Sequence, residues 1–300
     1  MTAPKITVLM SVLNGEEYLR PAINSVLEQT FTDFEFLIID NASTDGTANI
    51  IASYEDGRIR CVRNDDVLTL TGSLNKGLAL ARGDYIARLD ADDIAMPERL
   101  AKQAAFLDSH PEVALAASAA TDFGNRVPFP GKLGPVPAAD HETLMAELAQ
   151  ASIVSHSSIM FRRQAVMEAG SYPREFAYCM DYLLYFRLAR HHNLACLSEP
   201  LVAIRSHASQ ITSLPAWGLR KELEAVAAFQ EILTYPDLPI AVRKGLLRYR
   251  ALTSLRLAAL HMRARAPMQV FVWTIRAFVQ APCTFFRLVW ASAAKRARQS

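Results

Sequence analysis

Short apolar runs alternate with segments of helical apolar spacing through the first hundred residues. The strand-like runs are residues 6–12, 34–39, 59–62 and 85–89. The helical patterns between them are residues 16–29, 44–54 and 72–82. A regular strand and helix alternation predicts a Rossmann-like, mainly parallel sheet with helices on both faces. Such sheets bind ligands beyond the carboxyl ends of their strands, so we expect the functional residues there.

The pattern weakens after this alternation. Pro97 suits a first helical turn and predicts a helix that runs towards His110. Residues 122–139 are rich in Pro and Gly and predict a loop, which we interpret as a lid or an acceptor-side excursion. The remaining predicted elements are helices at 141–150 and 181–190, a strand at 158–161, and helices from about 217 to the end.

The charge of the chain is unevenly distributed. From Arg243 to Ser300 there are twelve Lys and Arg and no Asp or Glu, although the net charge of the whole chain is only +2. This basic segment predicts an anionic partner, and its interleaved aromatic residues favour a lipid surface over nucleic acid. Its uncharged runs fall well short of the ~20 residues of a spanning helix.

A helix in this basic segment would carry Phe271, Ile275 and Phe278 on one face and Arg276 on another. One interpretation is that it lies in the headgroup region of an anionic membrane. The other is that it packs on the rest of the chain or on a second subunit, which would make the protein a homo-oligomer.

The cysteines and the N-terminus bear on the cellular compartment. Cys61, Cys179, Cys196 and Cys283 are scattered and form no Cys-x-x-Cys pair, so neither a disulfide framework nor a thiolate zinc site is predicted. The N-terminus enters an apolar strand without a signal-type segment. We expect a cytoplasmic protein, peripheral at the inner face of the cell membrane.

Three predicted strands end in polar clusters, which the sheet would bring to one edge. The clusters are residues 11–16, 40–46 and 90–93. Taken singly, residues 43–47 could cap a helix and Asp92 with Asp93 could be a solvated turn. Three carboxylates in four residues at the end of a buried strand repel one another, and a divalent cation such as Mg²⁺ or Mn²⁺ would offset that repulsion.

The sequence lacks the motifs of nicotinamide- or flavin-binding folds and of Walker-type kinases and NTPases. Residues 14–17 read Asn-Gly-Glu-Glu where a dinucleotide-binding fold has Gly-x-Gly-x-x-Gly, and there is no Walker-type Gly-x-x-x-x-Gly-Lys-Ser/Thr. The carboxylate Asp40 at a strand end is suited to hydrogen bonds from a base or ribose. Nucleotide recognition without a phosphate-binding glycine loop is therefore predicted.

The ordered motifs together resemble family 2 glycosyltransferases, whose catalytic domain has the GT-A fold. The resemblance covers about two thirds of the chain and rests on residues 6–18, 34–47, 72–93, 97–103, 156–163, 178–188 and 205–207. It implies a GT-A catalytic domain over residues 1–215, with a nucleotide-sugar half at 1–110 and an acceptor half at 111–215. Residues 216–300 would then be a helical, basic extension.

Site residues follow from the same resemblance. It implies that donor contacts come from Leu13, Asn14, Glu16, Asp40, Asn75, Lys76, Asp90 and Ala91. Asp92 would bind the metal, with His207 on the metal or the diphosphate, and Asp181 matches the catalytic base. The alternative for Asp181 is a helix cap. His156 is as consistent with a core histidine as with a substrate ligand, and Met180 stands where the family usually has Glu.

The implied reaction is an inverting, metal-dependent transfer of a hexosyl group. The donor would be a nucleotide diphosphate sugar, most simply a UDP-sugar, and the acceptor a hydroxyl of a glycan or lipid-linked glycan in cell-surface polysaccharide biosynthesis. Two alternatives stay open at this point, namely a nucleotidyltransferase and a catalytically silent subunit that binds a nucleotide sugar or a glycan.

Overall fold

The computed structural model describes residues 3–124, 139–207, 218–282 and 284–286. The chain forms two compact units, one of residues 1–144 with 153–208 and one of residues 145–152 with 209–300. Most of the predicted loop at 122–139 lies outside the described residues, as does the chain beyond 286. The predicted boundary between residues 215 and 216 stays a prediction.

The first unit is built on one eight-stranded mixed sheet in the order β3-β2-β1-β4-β7-β6-β8-β5. Its strands are β1 (Ile6–Val12), β2 (Phe34–Asp40), β3 (Ile59–Arg63), β4 (Tyr85–Arg88), β5 (Ile94–Ala95), β6 (Val113–Gly124), β7 (Met160–Arg162) and β8 (Asn193–Ser206). Strands β3, β2, β1 and β4 are parallel, and β7 pairs antiparallel with both β4 and β6. The predicted parallel sheet is thus present and continues into a mixed half.

Strands β6 and β8 are the main elements that the sequence pattern did not reveal. They pair with each other in parallel, with register shifts near Ser118 and Ala119. The buried part of β6 is rich in Ala, which has a low β-propensity. The β8 strand runs through Pro200, and a bulged register breaks the period of two that marks a strand in sequence. Both strands therefore depend on their pairing partners.

Helices cover the sheet of the first unit. They are α1 (Leu19–Leu27), α2 (Thr47–Ala52), α3 (Leu70–Leu80), α4 (Arg99–Ser109), α6 (Arg163–Glu168) and α7 (Met180–Leu188), with a 3₁₀ turn at His156–Ser158. The helix α5 (His141–Leu148) begins in the first unit and ends in the second. All seven residues of β2 are buried, as expected for a strand covered on both faces. Each fully buried aliphatic or aromatic side chain stabilises the fold by about 1.5–3 kcal/mol.

A buried polar pair holds the end of β4 in place. Arg99 is fully buried and donates from Nη2 to the carbonyls of Arg88 (2.7 Å) and Ile159 (3.0 Å). It also donates from Nε to Gln103 Oε1 (3.1 Å), and Gln103 Nε2 donates to the carbonyls of Ala116 and Ser158, both at 2.8 Å. Burial lowers the pKa of Arg99 to about 9. These bonds offset the cost of the buried cation and join β4, β6 and the 3₁₀ turn.

The second unit is helical in the residues described. Its helices are α8 (Gly218–Ile232), α9 (Ile240–Arg263) and α10 (Pro267–Gln280). Trp273 of α10 and Val226 of α8 pack with Leu257 and Ala258 of α9 in one apolar cluster. Among the described helices, none combines the length and the apolar character that crossing a membrane requires.

Gly83, in the turn before β4, tests this packing. A Cβ at Gly83 would lie 2.4 Å from the backbone nitrogen of Thr7, whereas a Cβ at Gly57 would meet nothing within 4 Å. We expect Gly83→Ala to lower the free energy of unfolding by about 1–3 kcal/mol, because backbone atoms of β1 have to shift. The matched change Gly57→Ala should stay within about 0.5 kcal/mol. Urea denaturation measures both, and equal effects would contradict the packing described.

Candidate active site

The loops after β1 and β2 are bound to each other by reciprocal hydrogen bonds. Asn14 accepts from the Thr44 backbone N–H through Oδ1 (2.8 Å), and its own N–H donates to Ser43 Oγ (3.0 Å). Glu16 Oε2 accepts from the Gly46 N–H (2.8 Å), and the Glu16 N–H donates to Asp45 Oδ2 (3.0 Å). Asn14 has a left-handed backbone (φ 53°), which Asn tolerates better than most residues. The two predicted polar clusters therefore form one rigid surface.

Asp40 lies at the carboxyl end of β2 and is only 1% exposed. Its Oδ1 accepts from the Ser43 N–H (3.0 Å), and its Oδ2 pairs with Arg63 of β3. Arg63 also donates from Nη2 to the Ser43 carbonyl (2.7 Å). Asp40 is therefore held by a partner on the neighbouring strand, while Leu13, which follows β1, is 46% exposed.

Lys76 joins the same edge through a buried amide pair. Its Nζ donates to Asn64 Oδ1 (2.7 Å), and Asn64 Nδ2 donates to Asn41 Oδ1 (2.8 Å) and Ser73 Oγ (3.1 Å). The Asn41 side chain in turn binds the main chain of Leu68: Oδ1 accepts from the Leu68 N–H and Nδ2 donates to the Leu68 carbonyl, both at 2.9 Å. The chain after β3 is thereby held against the end of β2.

The acidic cluster after β4 is organised by Arg88 and Ser157. Arg88 is 2% exposed and pairs with Asp90 through both terminal nitrogens. Arg88 Nη1 also donates to Ser157 Oγ (3.0 Å). The Ser157 hydroxyl, on the 3₁₀ turn, contacts Asp90 Oδ2 (3.1 Å) and Asp93 Oδ2. One buried cation and one hydroxyl thus hold two carboxylates close together.

Asp93 is the carboxyl group of this cluster whose ionised form is most disfavoured. It is 3% exposed, and its Oδ1 accepts from the Arg205 N–H (2.9 Å). Burial, together with the charges of Asp90 and Asp92, raises the pKa of Asp93 to about 8. Burial and Asp90 also raise the pKa of Asp92. The surrounding groups therefore do not balance three negative charges, so the cluster favours a bound proton or cation.

Asp92 and His207 form the more open part of the cluster. His207 Nε2 lies 2.9 Å from Asp92 Oδ2, and Arg205 Nε donates to the Asp92 carbonyl (3.0 Å). The Tyr18 ring lies 4.7 Å from the His207 ring, centroid to centroid. Ligand oxygens of Asp90, Asp92 and Asp93 all lie within 4.8 Å of one another. This oxygen-rich donor set, with an imidazole at its edge, fits a hard divalent cation.

Asp181 is the second residue of α7 and its carboxyl group lies within electrostatic range of the cluster. Burial raises the pKa of Asp181 to about 6, while the Tyr182 N–H, which donates to Asp181 Oδ1 (2.7 Å), and the charge of Arg88 lower it. Asp90 raises it. The nearby Tyr185 hydroxyl is buried and has no hydrogen-bond partner among the described residues.

His156 and Asn75 make contacts within the protein. His156 Nε2 lies 2.7 Å from the Tyr172 hydroxyl, and the surrounding protein and Arg88 lower its pKa well below the usual value. Asn75 Nδ2 donates to the Tyr172 carbonyl (2.8 Å), and Asn75 Oδ1 accepts from the Tyr172 N–H (3.0 Å). Both polar groups of Asn75 therefore bind the main chain of the segment before α7.

The structure brings most of the predicted residues to one edge of the sheet. Gly15 links the first loop to the acidic turn, because a Cβ there would lie 3.9 Å from the Ala91 Cβ. The Asn75 amide differs from the other predicted donor contacts, because both of its polar groups bind the main chain of Tyr172. The residues that sequence reasoning missed are Arg88, Ser157 and Arg63. A charged residue inside an otherwise apolar strand, two positions before Asp90, was the available indication for Arg88.

Comparison with known proteins agrees with this geometry. The family model described as "Glycosyl transferase family 2" matches residues 7–170. The amylovoran biosynthesis glycosyltransferase AmsE of Erwinia amylovora is 28% identical over 222 residues, covering 72% of this chain and 81% of AmsE. The chain spans about two fifths of the length of other curated relatives that are 40–43% identical in the aligned part.

Two further similarities concern a relative with a named reaction and a solved structure. WfaP of Escherichia coli, a UDP-Glc:α-D-GlcNAc-diphosphoundecaprenol β-1,3-glucosyltransferase, is 32% identical over 104 residues, covering 35% of this chain and 41% of WfaP. The crystal structure of S. aureus TarS 1–349 with UDP-GlcNAc superposes with a TM-score of 0.67 at 16% identity, covering 93% of this chain and 92% of TarS 1–349.

The structural similarity establishes the GT-A fold, and the family assignment rests on sequence. The matched segment, residues 7–170, includes the acidic turn, Ser157 and the loops after β1 and β2. Because it comprises more than half of the 300 residues, the chain belongs to glycosyltransferase family 2.

Proposed function

We propose that this glycosyltransferase moves a hexosyl group from a nucleotide diphosphate sugar to an acceptor hydroxyl by single displacement with inversion. The observation that carries the proposal is the acidic turn after β4, where ligand oxygens of Asp90, Asp92 and Asp93 lie within 4.8 Å of one another. Asp181, at the start of α7, is the proposed base for an acceptor beside a donor sugar bound at this turn.

The donor nucleotide fits the edge formed by the loops after β1 and β2. Asp40 and Glu16 supply carboxylates held by fixed partners, and the exposed Leu13 supplies an apolar surface. Fixed acceptors of this kind suit the donors of a base and a ribose. Lys76 lies at the same edge as a cation, whereas the contacts of Asn75 favour a positioning role. A UDP-sugar is the proposed donor, and thermal stabilisation by a panel of nucleotide sugars with Mn²⁺ would identify it.

A divalent cation, Mg²⁺ or Mn²⁺, would be held by Asp92 and His207, with Asp90 on the donor side. Bound there, it would act as a Lewis acid that neutralises the departing diphosphate. Arg88 and Ser157 hold Asp90 and Asp93 in place for this purpose. No side chain then has to protonate the leaving oxygen, unlike in glycoside hydrolysis.

The acceptor hydroxyl would be activated by Asp181. As the hydroxyl oxygen attacks the anomeric carbon, its proton passes to the Asp181 carboxylate and the bond from the anomeric carbon to the diphosphate oxygen breaks. Burial makes Asp181 a stronger base than an exposed aspartate, because it raises the pKa to about 6. The buried Tyr185 hydroxyl beside it is a candidate to hold an ordered water or an acceptor hydroxyl.

The acceptor is proposed to be a glycan or a lipid-linked glycan of cell-surface polysaccharide biosynthesis. AmsE and WfaP are named for amylovoran biosynthesis and for transfer to a diphosphoundecaprenol-linked sugar, respectively, and this supports the proposed class. Assays of this chain with lipid-linked and free glycan acceptors at equal concentration would test it. Incorporation of label into neither would contradict the proposed class.

Two other functions predict different results. A nucleotidyltransferase would release inorganic pyrophosphate and leaves Asp181 without a role, whereas the transferase releases a nucleoside diphosphate. A catalytically silent subunit would bind the donor without forming product. Chromatography of products from a labelled donor separates the three functions.

Asp181→Asn should reduce the transfer rate by about 10²–10⁴-fold, because the variant cannot accept a proton. Donor binding should be unchanged, since Asp181 is assigned to the acceptor step. Asp33→Asn is the matched control, because Asp33 is exposed at the opposite end of β2 and should keep full activity. Transfer by the Asp181 variant at the wild-type rate would refute the assignment of the base.

The pH dependence of the reaction follows from the pKa of Asp181. The active form is the carboxylate, so kcat/KM should rise as the pH increases through about 6 and level off above it. Initial rates across a pH series at subsaturating acceptor would measure this. A rate that falls as the pH rises through the same range would contradict a general base.

Asp92→Ala should weaken cation-dependent binding of the nucleoside diphosphate by at least about tenfold, since loss of even an outer-shell partner costs about 10–100-fold. Calorimetry with UDP and Mn²⁺ measures the affinity. The control Asp33→Ala removes the same charge at the far end of β2 and should bind normally. Unchanged affinity of the Asp92 variant would rule out its metal role.

Ser157→Ala should destabilise the protein by about 1–3 kcal/mol, because Asp93 loses a buried hydrogen-bond donor. Ser158→Ala is the matched control. Ser158 is equally buried, and its hydroxyl donates to the Ser155 carbonyl. That carbonyl also accepts from the Ser158 N–H (2.9 Å), so it keeps a donor when the hydroxyl is removed. Urea denaturation with EDTA should therefore show a larger loss for position 157, and the reverse order would be inconsistent with the network.

A further inference from the structure

An exposed apolar stripe runs along α10 in the second unit. It consists of Met268, Phe271, Ile275, Phe278 and Val279, which recur every three or four residues and so share one side of the helix. Their exposed fractions are 71%, 63%, 45%, 41% and 71%. Scattered apolar residues are normal on a protein surface, but an ordered stripe of this kind marks an interaction site.

The stripe is not the face that α10 uses for folding. Trp273 and Ala277, on the other side of the helix, are buried, and Trp273 packs in the cluster with Leu257 of α9. Ser254 Oγ donates to Gln280 Oε1 (3.2 Å), which holds the end of α10 beside the middle of α9. The helix therefore satisfies its internal packing and leaves a second apolar face outward.

Cations flank the stripe. Arg263, the last residue of α9, and Arg265, in the turn before α10, are both exposed. Arg276 lies over the Trp273 ring, 4.7 Å from its centroid. No acidic residue occurs anywhere from position 243 to the end of the chain. The stripe thus combines exposed apolar groups with positive charge that has no acidic neighbour in the same part of the sequence.

We propose that the stripe binds the surface of an anionic lipid bilayer, with the Phe and Met side chains among the headgroups and the arginines on lipid phosphates. Amphipathic helices with basic flanks bind membranes in this way. A second copy of the chain fits less well, because α10 carries no Asp or Glu that could pair with these arginines across a contact between two stripes. Membrane binding of this kind is independent of the proposed reaction and can be measured without turnover.

The experiment is co-sedimentation of the full chain with vesicles. We expect binding to vesicles that contain phosphatidylglycerol, weaker binding to phosphatidylcholine alone, and a decrease with added salt. Phe271→Ser should weaken partitioning about tenfold, because it removes one large inserted side chain. Since Phe271 is exposed, circular dichroism should show an unchanged fold.

The matched control is Ile240→Ser, which removes another exposed apolar side chain from the same unit. Ile240 is 73% exposed at the start of α9. It lies 14 residues, or about 21 Å of helix, before Ser254, the residue of α9 that contacts Gln280 at the end of α10. The control should bind vesicles like the wild type. The double change Arg263→Gln and Arg265→Gln should weaken binding to anionic vesicles about fivefold per arginine.

Three results would overturn the proposal. One is failure of the wild type to sediment with either vesicle, and another is equal loss of binding in the Phe271 and Ile240 variants. The third is a change in molecular mass of the Phe271 variant in sedimentation velocity without lipid, with vesicle binding intact. That result would assign the stripe to self-association.

Discussion

Repulsion among the carboxylates after β4 is the constraint on which the site depends. Three carboxylates lie within 4.8 Å of one another at the edge of a buried sheet, and protein groups balance them only in part. Arg88 and Ser157 hold Asp90, while Asp93 has a raised pKa. The buried Arg99 and Gln103 fix the backbone of this region, because they donate hydrogen bonds to the carbonyls of Arg88 and Ala116.

The first half of the fold is predictable from the sequence, because local pattern and tertiary role agree there. The strands β1 to β4 are short, apolar and separated by helical spacing, so each is recognisable alone. Strands β6 and β8 are different, since an Ala-rich segment and a bulged strand through Pro200 gain their structure from pairing. Long-range pairing of this kind leaves little trace in local periodicity.

The candidate site followed the same rule. Residues at strand ends, such as Asp40 and Asp92, were predictable because the topology brings strand ends together. Their partners Arg63, Arg88 and Ser157 were not predictable. Arg63 and Arg88 lie in strands, and the contacts Arg63–Ser43 and Arg88–Ser157 join residues that are 20 and 69 positions apart. The family resemblance supplied Asp181, whose surroundings emerge only in three dimensions.

The two hydrogen bonds between Asn75 and Tyr172 hold the segment before α7 without depending on the side chain at position 172. Asn75 recognises the N–H and carbonyl of Tyr172, which every residue except proline would offer equally well. The neighbouring side chains at 173–175 can therefore diverge during evolution while the segment stays docked on α3. An anchor made of main-chain groups thus leaves the side chains next to it free to change while the backbone of the segment keeps its place on the helix.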